Sequence, residues 1–243
     1  MKDLYTAAKK LYETAFPGED PSFTEALFAL GFPKHLEGIA EHGTLLSMLF
    51  ALPYPVITSE GELPARYLYA VATDPDHRGK GYAKQLLREI IAEGNPVFLR
   101  PMSPSLFEFY KDAGFVPFSP YRELQGEAQG DPAGITTLLP DAYLAARDGF
   151  LQAPYCRMSK EFLSLCYTLG GAVGEVEKFA ALYELDGDTV LFKEFWGDPE
   201  NAPRAAAFLG AAHYTVRFSD PTGTPFGVCA NLPADTVFLA ALD

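Results

Sequence analysis

The sequence predicts an α/β (α+β) chain: a mixed, twisted central sheet flanked by helices, followed by a smaller α+β half that is a degenerate copy of the first. Two observations carry this expectation. The first is the stretch at residues 67–93, YLYAVATDPDHRGKGYAKQLLREIIAE, in which an apolar strand runs into a glycine turn and then a helix. Leu86, Leu87, Ile90 and Ile91 recur at helical spacing, Gly94 stands where a helix would stop, and the strand before the turn has none of that period. The second is the order strand, turn, strand, helix, strand, which runs over residues 37–99 and again over 178–218.

Taken in order, Leu4, Ala7, Ala8, Leu11 and Ala15 share one face of a first helix over residues 3–15. Ser22 with Glu25 three residues on forms a capping box, which predicts a second helix over 23–30 that stops at Gly31. Residues 37–41, a turn at His42-Gly43 and the apolar run 44–52 predict a hairpin, and Pro53 and Pro55 end its second strand or place it at an edge. The 67–73 strand and the 82–93 helix follow, then 96–99 as a short buried strand. Ser103-Pro104 has the pattern of an N-cap followed by proline at the first helical position, opening a helix that ends at Gly114. Residues 115–118 begin another strand.

Residues 122–134, rich in Gly, Glu and Gln, are expected to be a linker between a domain at 1–121 and a second half at 135–243. In that half, 141–151 and 159–169 look helical, 178–185 and 189–196 form a hairpin about Asp186-Gly187-Asp188, Asp198-Pro199 caps a helix to Leu209, and 213–218 is a strand.

A glycine turn at a helix N-terminus is an anion cradle. The first N–H groups of a helix lack intrahelical acceptors, the helix dipole is positive there, and glycine lets the main chain approach a phosphate closely. Arg78 and Lys80 add positive charge at the same point. The second half carries Asp198, Pro199 and Glu200 at its helix start, where carboxylates repel an anion and proline removes a donor, so one anion site is expected, in the first half.

Composition bounds the partners. With 48% hydrophobic and 21% charged residues in 243, the chain can bury a proper core. Nineteen Lys and Arg against 32 Asp and Glu give a formal net charge of −13, which repels nucleic acid and anionic membranes and steers cationic partners inward. Cys156, Cys166 and Cys229 are odd in number and show no C-x-x-C spacing, which predicts buried thiols, a reducing compartment and no metal site. No signal peptide opens the chain, and its longest uncharged run, residues 43–59, is broken by Pro53 and Pro55, so a cytoplasmic protein without a membrane span is expected.

The spacing R-x-x-G-x-A over Arg78, Gly81 and Ala83 differs from both the P-loop and the dinucleotide fingerprint. It resembles the acyl-CoA pyrophosphate loop of the GCN5-related N-acetyltransferase (GNAT) superfamily. Upstream, AVAT-DP-HRGKGYA looks like that superfamily's fourth strand and loop; downstream, Phe109-Tyr110-Lys111-Asp112-Ala113-Gly114-Phe115 looks like its F-Y-x-x-x-G-F signature. The resemblance covers about residues 1–118 and implies the superfamily fold and acetyl-CoA as acetyl donor. It further implies that Val71, Ala72 and Thr73 pair with the pantetheine arm, the Val71 N–H serving the thioester carbonyl. Arg78, Gly79, Lys80, Gly81, Tyr82 and Ala83 would hold the pyrophosphate, and Tyr110 would be the general acid at the sulfur. A tyrosine near pKa ~10 facing a thiol near ~8.5 makes full proton transfer uphill by roughly 2 kcal/mol, so Tyr110 is expected to act mainly as a hydrogen-bond donor.

The superfamily often places a carboxylate base on or beside the central strands, where this chain has Tyr67 and Tyr69. A water relay, Glu37, Glu41 or a group from the second half, even the terminal carboxylate at Asp243, remain open as the proton route. The order of the two halves, with the texture around 141–147, also resembles the enhanced-intracellular-survival type of acetyltransferase. That type usually carries a further sterol-carrier-like domain, for which this sequence has no room, so its substrates are not carried over. Two function classes result: an acetyl-CoA-dependent N-acetyltransferase acting on a primary amine of a small molecule or protein, or an acyl-CoA-binding sensor without turnover.

Overall fold

The structure, a computed structural model, describes residues 2–233, 235–239 and 242. The chain runs α1 (Lys2–Ala15), α2 (Pro21–Gly31), β1 (Leu36–Glu41), β2 (Thr44–Pro53), β3 (Val56–Thr58), β4 (Gly61–Leu63), β5 (Arg66–Thr73), α3 (Tyr82–Ala92), β6 (Val97–Leu99) and α4 (Pro104–Ala113). It continues through β7 (Val116–Glu127), β8 (Thr136–Leu138), α5 (Pro140–Phe150), β9 (Tyr155–Cys156), α6 (Lys160–Cys166), β10 (Gly170–Glu175), β11 (Phe179–Asp186), β12 (Thr189–Gly197), α7 (Ala202–Phe208), β13 (His213–Ser219) and β14 (Thr224–Ala230). These elements form two compact units: Met1–Val56, Glu62–Pro117 and Gly227–Ala234 make the first, and Ile57–Gly61, Phe118–Phe226 and Asp235–Asp243 the second.

In the first unit the strand order is β1-β2-β5-β6-β14. The β1–β2 hairpin turns at His42 and Gly43, whose φ values of 49° and 82° are the left-handed pair that a tight two-residue turn demands. β2 is central, antiparallel to both β1 and β5, and almost wholly buried; Pro53 ends it. α3 and α4 cover one face, where Leu86, Leu87, Ile90, Ala113 and Phe115 pack on Leu49, Ala51 and Leu68. α1 and α2 bring Tyr5, Tyr12, Phe23 and Phe28 to the other aromatic core, in edge-to-face contacts that reach Phe50 and Tyr69. Each fully buried ring or branched side chain contributes about 1.5–3 kcal/mol of apolar transfer.

The second unit repeats this plan in the order β7-β13-β12-β11-β10-β8. β10, β11 and β12 form an antiparallel meander, α7 carries the chain across to β13 parallel to β12, and β7 closes antiparallel to β13. The first unit has the same steps, with β5 to β6 parallel and β14 closing antiparallel. The closing strands are exchanged in sequence: β14 follows β13, and β7 follows α4.

This connectivity corrects the boundary expected near residue 121. Residues 122–127 are strand rather than linker, because polar Glu123, Gln125 and Glu127 alternate along a ladder whose backbone bonds do not need apolar side chains; Glu123 meets Arg217 at 3.1 Å. α2 also begins earlier than the capping box suggests. Asp20 is its cap, accepting from the N–H groups of Ser22 at 2.8 Å and Phe23 at 3.1 Å, with Pro21 in the first turn. α6 ends at Cys166, and the next residues enter β10, whose run of small residues had no strand signal.

Candidate active site

β5 is where the first unit departs from a regular sheet. Met48 faces Ala72 and Phe50 faces Tyr69, so β5 spends one residue more than β2, and Ala70 takes a left-handed φ of 57°. Such a bulge turns and twists the strand that holds it. The parallel pairing of β5 with β6 is confined to Arg66 and Tyr67. Beyond that point the strands part, and Val71, Ala72 and Thr73 line a cleft of 610 Å³. The cleft reaches from Ala15 and Phe16 at the end of α1 to Leu106, Phe109 and Tyr110 on α4.

After β5 the chain makes a single 3-10 turn at Pro75–His77, capped by Asp74, whose carboxylate accepts from the Asp76 N–H at 2.9 Å and meets His77 Nδ1 at 3.0 Å. The His77 contact, helped by the Asp76 N–H, holds the Asp74 carboxyl below its ordinary range. Arg78 Nε donates back to the Thr73 carbonyl at 3.2 Å. Gly79 and Gly81 then adopt φ values of 76° and 89°. No atom would lie within 4 Å of a Cβ at either, so the backbone twist, not crowding, demands glycine here.

Gly81 is the N-cap of α3 and supplies no side-chain acceptor, which leaves the first-turn N–H groups directed at the cleft end with the positive pole of the helix behind them. Tyr82, Ala83 and Lys84 line the cleft here. Lys84 is held over the Phe109 ring, 5.4 Å from its centroid, with Nζ 2.9 Å from Asp112.

At the far side, Gly114 with φ 113° stops α4 just past Tyr110. Tyr110 sits edge-to-face on Phe109 and Phe115 and is 7% exposed. Burial pushes its hydroxyl up to about 12, so it stays neutral. Tyr67 and Tyr69 stack on each other, and Tyr69 turns its ring to Phe23 of α2.

The expected residues Val71, Ala72, Thr73, Arg78, Gly79, Gly81, Tyr82, Ala83 and Tyr110 thus come together around one cleft, whereas Lys80 is exposed in the loop and does not line it. Phe16 and Leu106 carried no sequence signal beyond their apolarity, and Phe109 only its place in the F-Y-x-x-x-G-F pattern; Lys84, a basic residue in the first turn beside the cradle, could have been picked out. None of the described lining residues is a carboxylate. Glu37 is 3.8 Å from Arg66, Glu41 accepts from the Tyr82 hydroxyl at 3.2 Å, and Asp243 lies outside the described residues. No group of three or more His, Cys, Asp or Glu among the described residues is placed to hold a metal.

The second unit builds the same turn without the cradle. Asp198 caps the 3-10 turn Pro199–Asn201 through the Glu200 N–H at 2.9 Å, just as Asp74 caps Pro75–His77. α7 then starts at once with Ala202, where α3 is preceded by Arg78, Gly79, Lys80 and Gly81. The four cradle residues have no counterpart, so the contrast is a shorter loop more than a set of repelling carboxylates.

Residues 2–118 match the family model of an acetyltransferase (GNAT) domain. No curated protein sequence matches the chain. Among solved structures it is similar to a probable N-acyltransferase from Enterococcus faecalis V583, with TM-score 0.68 and 16% identity over 94% of this chain and 70% of that one. A GCN5-related N-acetyltransferase from Anabaena variabilis ATCC 29413 is similar with TM-score 0.68 and 12% identity, again over 94% and 70%. Eis1 from Mycobacterium abscessus is similar with TM-score 0.62 and 11% identity over 93% of this chain and 64% of that one. At such identities the structures speak for the fold, and the family model speaks for the domain that carries the cleft: residues 2–118 form an acetyltransferase domain of the GNAT family.

Proposed function

We propose that the protein moves the acetyl group of acetyl-CoA to a primary amine by direct attack on the thioester. The observation that carries this reading is one cleft with an uncapped helix N-terminus at one end, a stretch of β5 along its length that pairs with β2 but not with β6, and the neutral Tyr110 side chain in its wall. That is the donor set of an elongated thioester with a pyrophosphate at one end.

In this reading the main-chain N–H groups from Arg78 to Ala83 bind the pyrophosphate. Val71, Ala72 and Thr73 present backbone groups to the pantetheine arm as a neighbouring strand would, and the Val71 N–H donates to the thioester oxygen as charge develops on it. The amine lone pair forms the C–N bond, the C–S bond breaks with its electron pair going to sulfur, and the nitrogen loses one proton. Tyr110 donates a hydrogen bond to the departing sulfur. With its hydroxyl near 12, complete transfer of that proton to a thiolate of ordinary pKa, ~8.5, is uphill by roughly 5 kcal/mol, so donation without transfer is its role.

An alkylamine of pKa ~10.4 is neutral in about one molecule in 2,500 at pH 7, a handicap of roughly 4.6 kcal/mol. With no carboxylate among the described lining residues, the groups in reach of that proton are water and His77, which lines the cleft with its Nδ1 on Asp74. The net charge of −13 supports a cationic acceptor, small molecule or protein, over nucleic acid or an anionic membrane surface. Three buried thiols support a reducing compartment such as the cytoplasm, and no helix among the described residues is long and apolar enough to cross a membrane.

The missing lining carboxylate also favours a second reading, an acyl-CoA sensor without turnover. Titration calorimetry with CoA and a thiol-release assay over mono-, di- and polyamines and lysine peptides separate the two. Catalysis predicts CoA binding that weakens at least tenfold in Arg78→Glu and Gly81→Glu, together with amine-dependent thiol release. Binding without release for any amine selects the sensor, and binding untouched by both substitutions removes the cradle assignment.

A further inference from the structure

Ser47 is the one polar residue in the buried apolar run 45–52 of β2, where it sits between Leu46 and Met48 with no exposed surface. Burying a hydroxyl is unfavourable unless it is hydrogen-bonded. Ser47 finds both its partners on β5: its Oγ donates to the Ala72 carbonyl at 2.9 Å and lies 3.1 Å from the Thr73 hydroxyl oxygen.

Both bonds fall on the stretch of β5 that has least else to hold it. The bulge breaks the β2–β5 register between Met48 and Phe50, and pairing resumes at Met48–Ala72 and Ser47–Thr73, whereas β6 pairs only with Arg66 and Tyr67. Beyond the bulge the strand is therefore held from the β2 side. Thr73 is gripped once more from the loop, where Arg78 Nε donates to its carbonyl at 3.2 Å, and the Asp74 N–H donates to the Leu46 carbonyl at 2.9 Å.

Protons set the direction of this network. A serine hydroxyl has a single proton and a carbonyl can only accept, so the Ser47 proton goes to Ala72. The contact with Thr73 is then made by the Thr73 proton, donated to Ser47 Oγ. Thr73 Oγ1 keeps lone pairs but no proton to offer, on a residue that lines the cleft. An acceptor of that kind suits an amide N–H, and the pantetheine arm of CoA carries amides.

We infer that Ser47 is a positioning residue for the acyl-CoA thioester. It does not line the cleft itself; through Ala72 and Thr73 it fixes the stretch of β5 that receives the pantetheine arm, and it leaves Thr73 Oγ1 as the acceptor for a pantetheine amide N–H. This rests on the reading of the cleft as an acyl-CoA site, not on transfer of the acetyl group.

A hydroxyl that merely knits β2 to β5 would affect every ligand and the fold alike, so ligands with and without the arm separate the two roles. Titration calorimetry compares CoA with ADP, which has the pyrophosphate and lacks the arm, on the native chain, Ser47→Ala, Ser47→Cys, Thr73→Val and the double variant Ser47→Ala/Thr73→Val, with a thermal melt of each. Ser47→Ala and Thr73→Val are each expected to weaken CoA by about fivefold and ADP by less than about twofold, and the double variant to lose no more than the worse single one, because both remove the same network. Ser47→Cys keeps a weak donor in the same place and is expected to recover part of the loss. Equal losses for CoA and ADP, fully additive losses in the double variant, or an unchanged CoA affinity beside a lowered Tm overturn the assignment. Should Ser47→Ala not fold, Ser47→Cys and the half-buried Thr73→Val carry the same comparison. Thiol release with an alkylamine is followed in parallel: a CoA-selective loss without release in the native chain sinks transfer and upholds the positioning role, and release with an unchanged acetyl-CoA KM in Ser47→Ala does the reverse.

Discussion

Tyr110 is neutral because its ring is packed between Phe109 and Phe115 and almost nothing of it touches solvent. The burial that raises its hydroxyl to about 12 also keeps the proton available for donation at any physiological pH. Tyr110→Phe is therefore expected to lower kcat by about 10- to 100-fold while changing acetyl-CoA affinity by less than twofold, since the ring and its packing remain. Steady-state thiol release and calorimetry on the same sample check both halves; an unchanged kcat would return the residue to the core. Gly79 and Gly81 act differently, through backbone shape. A residue with a Cβ at such φ values costs about 1–2 kcal/mol, and here that cost falls on the loop that must present its N–H groups in one direction. Ala70 already bears a cost of that kind, and the strand separation that opens the cleft is what it sustains.

Between elements, the two units use the same joint with different fillings. In the first, α1 meets β5 where the Tyr12 and Tyr69 hydroxyls are neighbours, and α2 meets it through the Phe23 and Tyr69 rings. In the second, α5 is clamped to β12 by Arg147, which reaches Glu194 at 2.9 Å and the Cys156 carbonyl at 3.1 Å, with its guanidinium 5.4 Å from the centre of the Trp196 ring. Both charges are fully buried. Arg147→Ala strands a carboxylate in the core and is expected to cost about 3–5 kcal/mol in urea unfolding, whereas the double change Arg147→Met/Glu194→Leu should cost far less, because no buried charge is left. Equal losses in the two would show that packing of the long side chain matters more than the ion pair. The Asp-Pro turns make the complementary point. Asp74 and Asp198 cap alike, so the difference between the proposed phosphate cradle and a plain connection lies in four inserted residues.

Across the whole molecule, stability should form a plateau bounded on both sides by shifted groups. Asp20, Asp74, Asp112, Glu175 and Asp220 are all held below their ordinary values by partners, first among them Ser22, His77, Lys84, Lys178 and Thr222 respectively. For a depressed carboxyl the stabilisation is present above its unfolded value, ~4, and is lost as pH falls through the lower folded value. Cys166, raised to about 12 by burial, and Cys229, raised to about 11, work from the other side: their contribution is complete below the unfolded ~8.5 and is lost as pH rises through the folded values. Thermal melts by circular dichroism should give a flat Tm from about pH 5 to 8, falling on both sides; a Tm still rising at pH 10 would contradict the burial of the thiols. By itself the sequence determined the cradle, the helix that follows it, the position of Tyr110 and the repeat of strand, helix and strand, because each rests on neighbours in the chain: glycines before a helix, apolar residues at fixed spacing, caps a few residues away. Only the tertiary structure decided that β14 and not β7 closes the first unit, that residues 122–127 form strand, and that Phe16 and Lys84 stand at the cleft. Those outcomes depend on which distant backbones share a ladder and which helix ends meet, and neither a polar strand nor an apolar residue at a helix end announces its partner in its own composition.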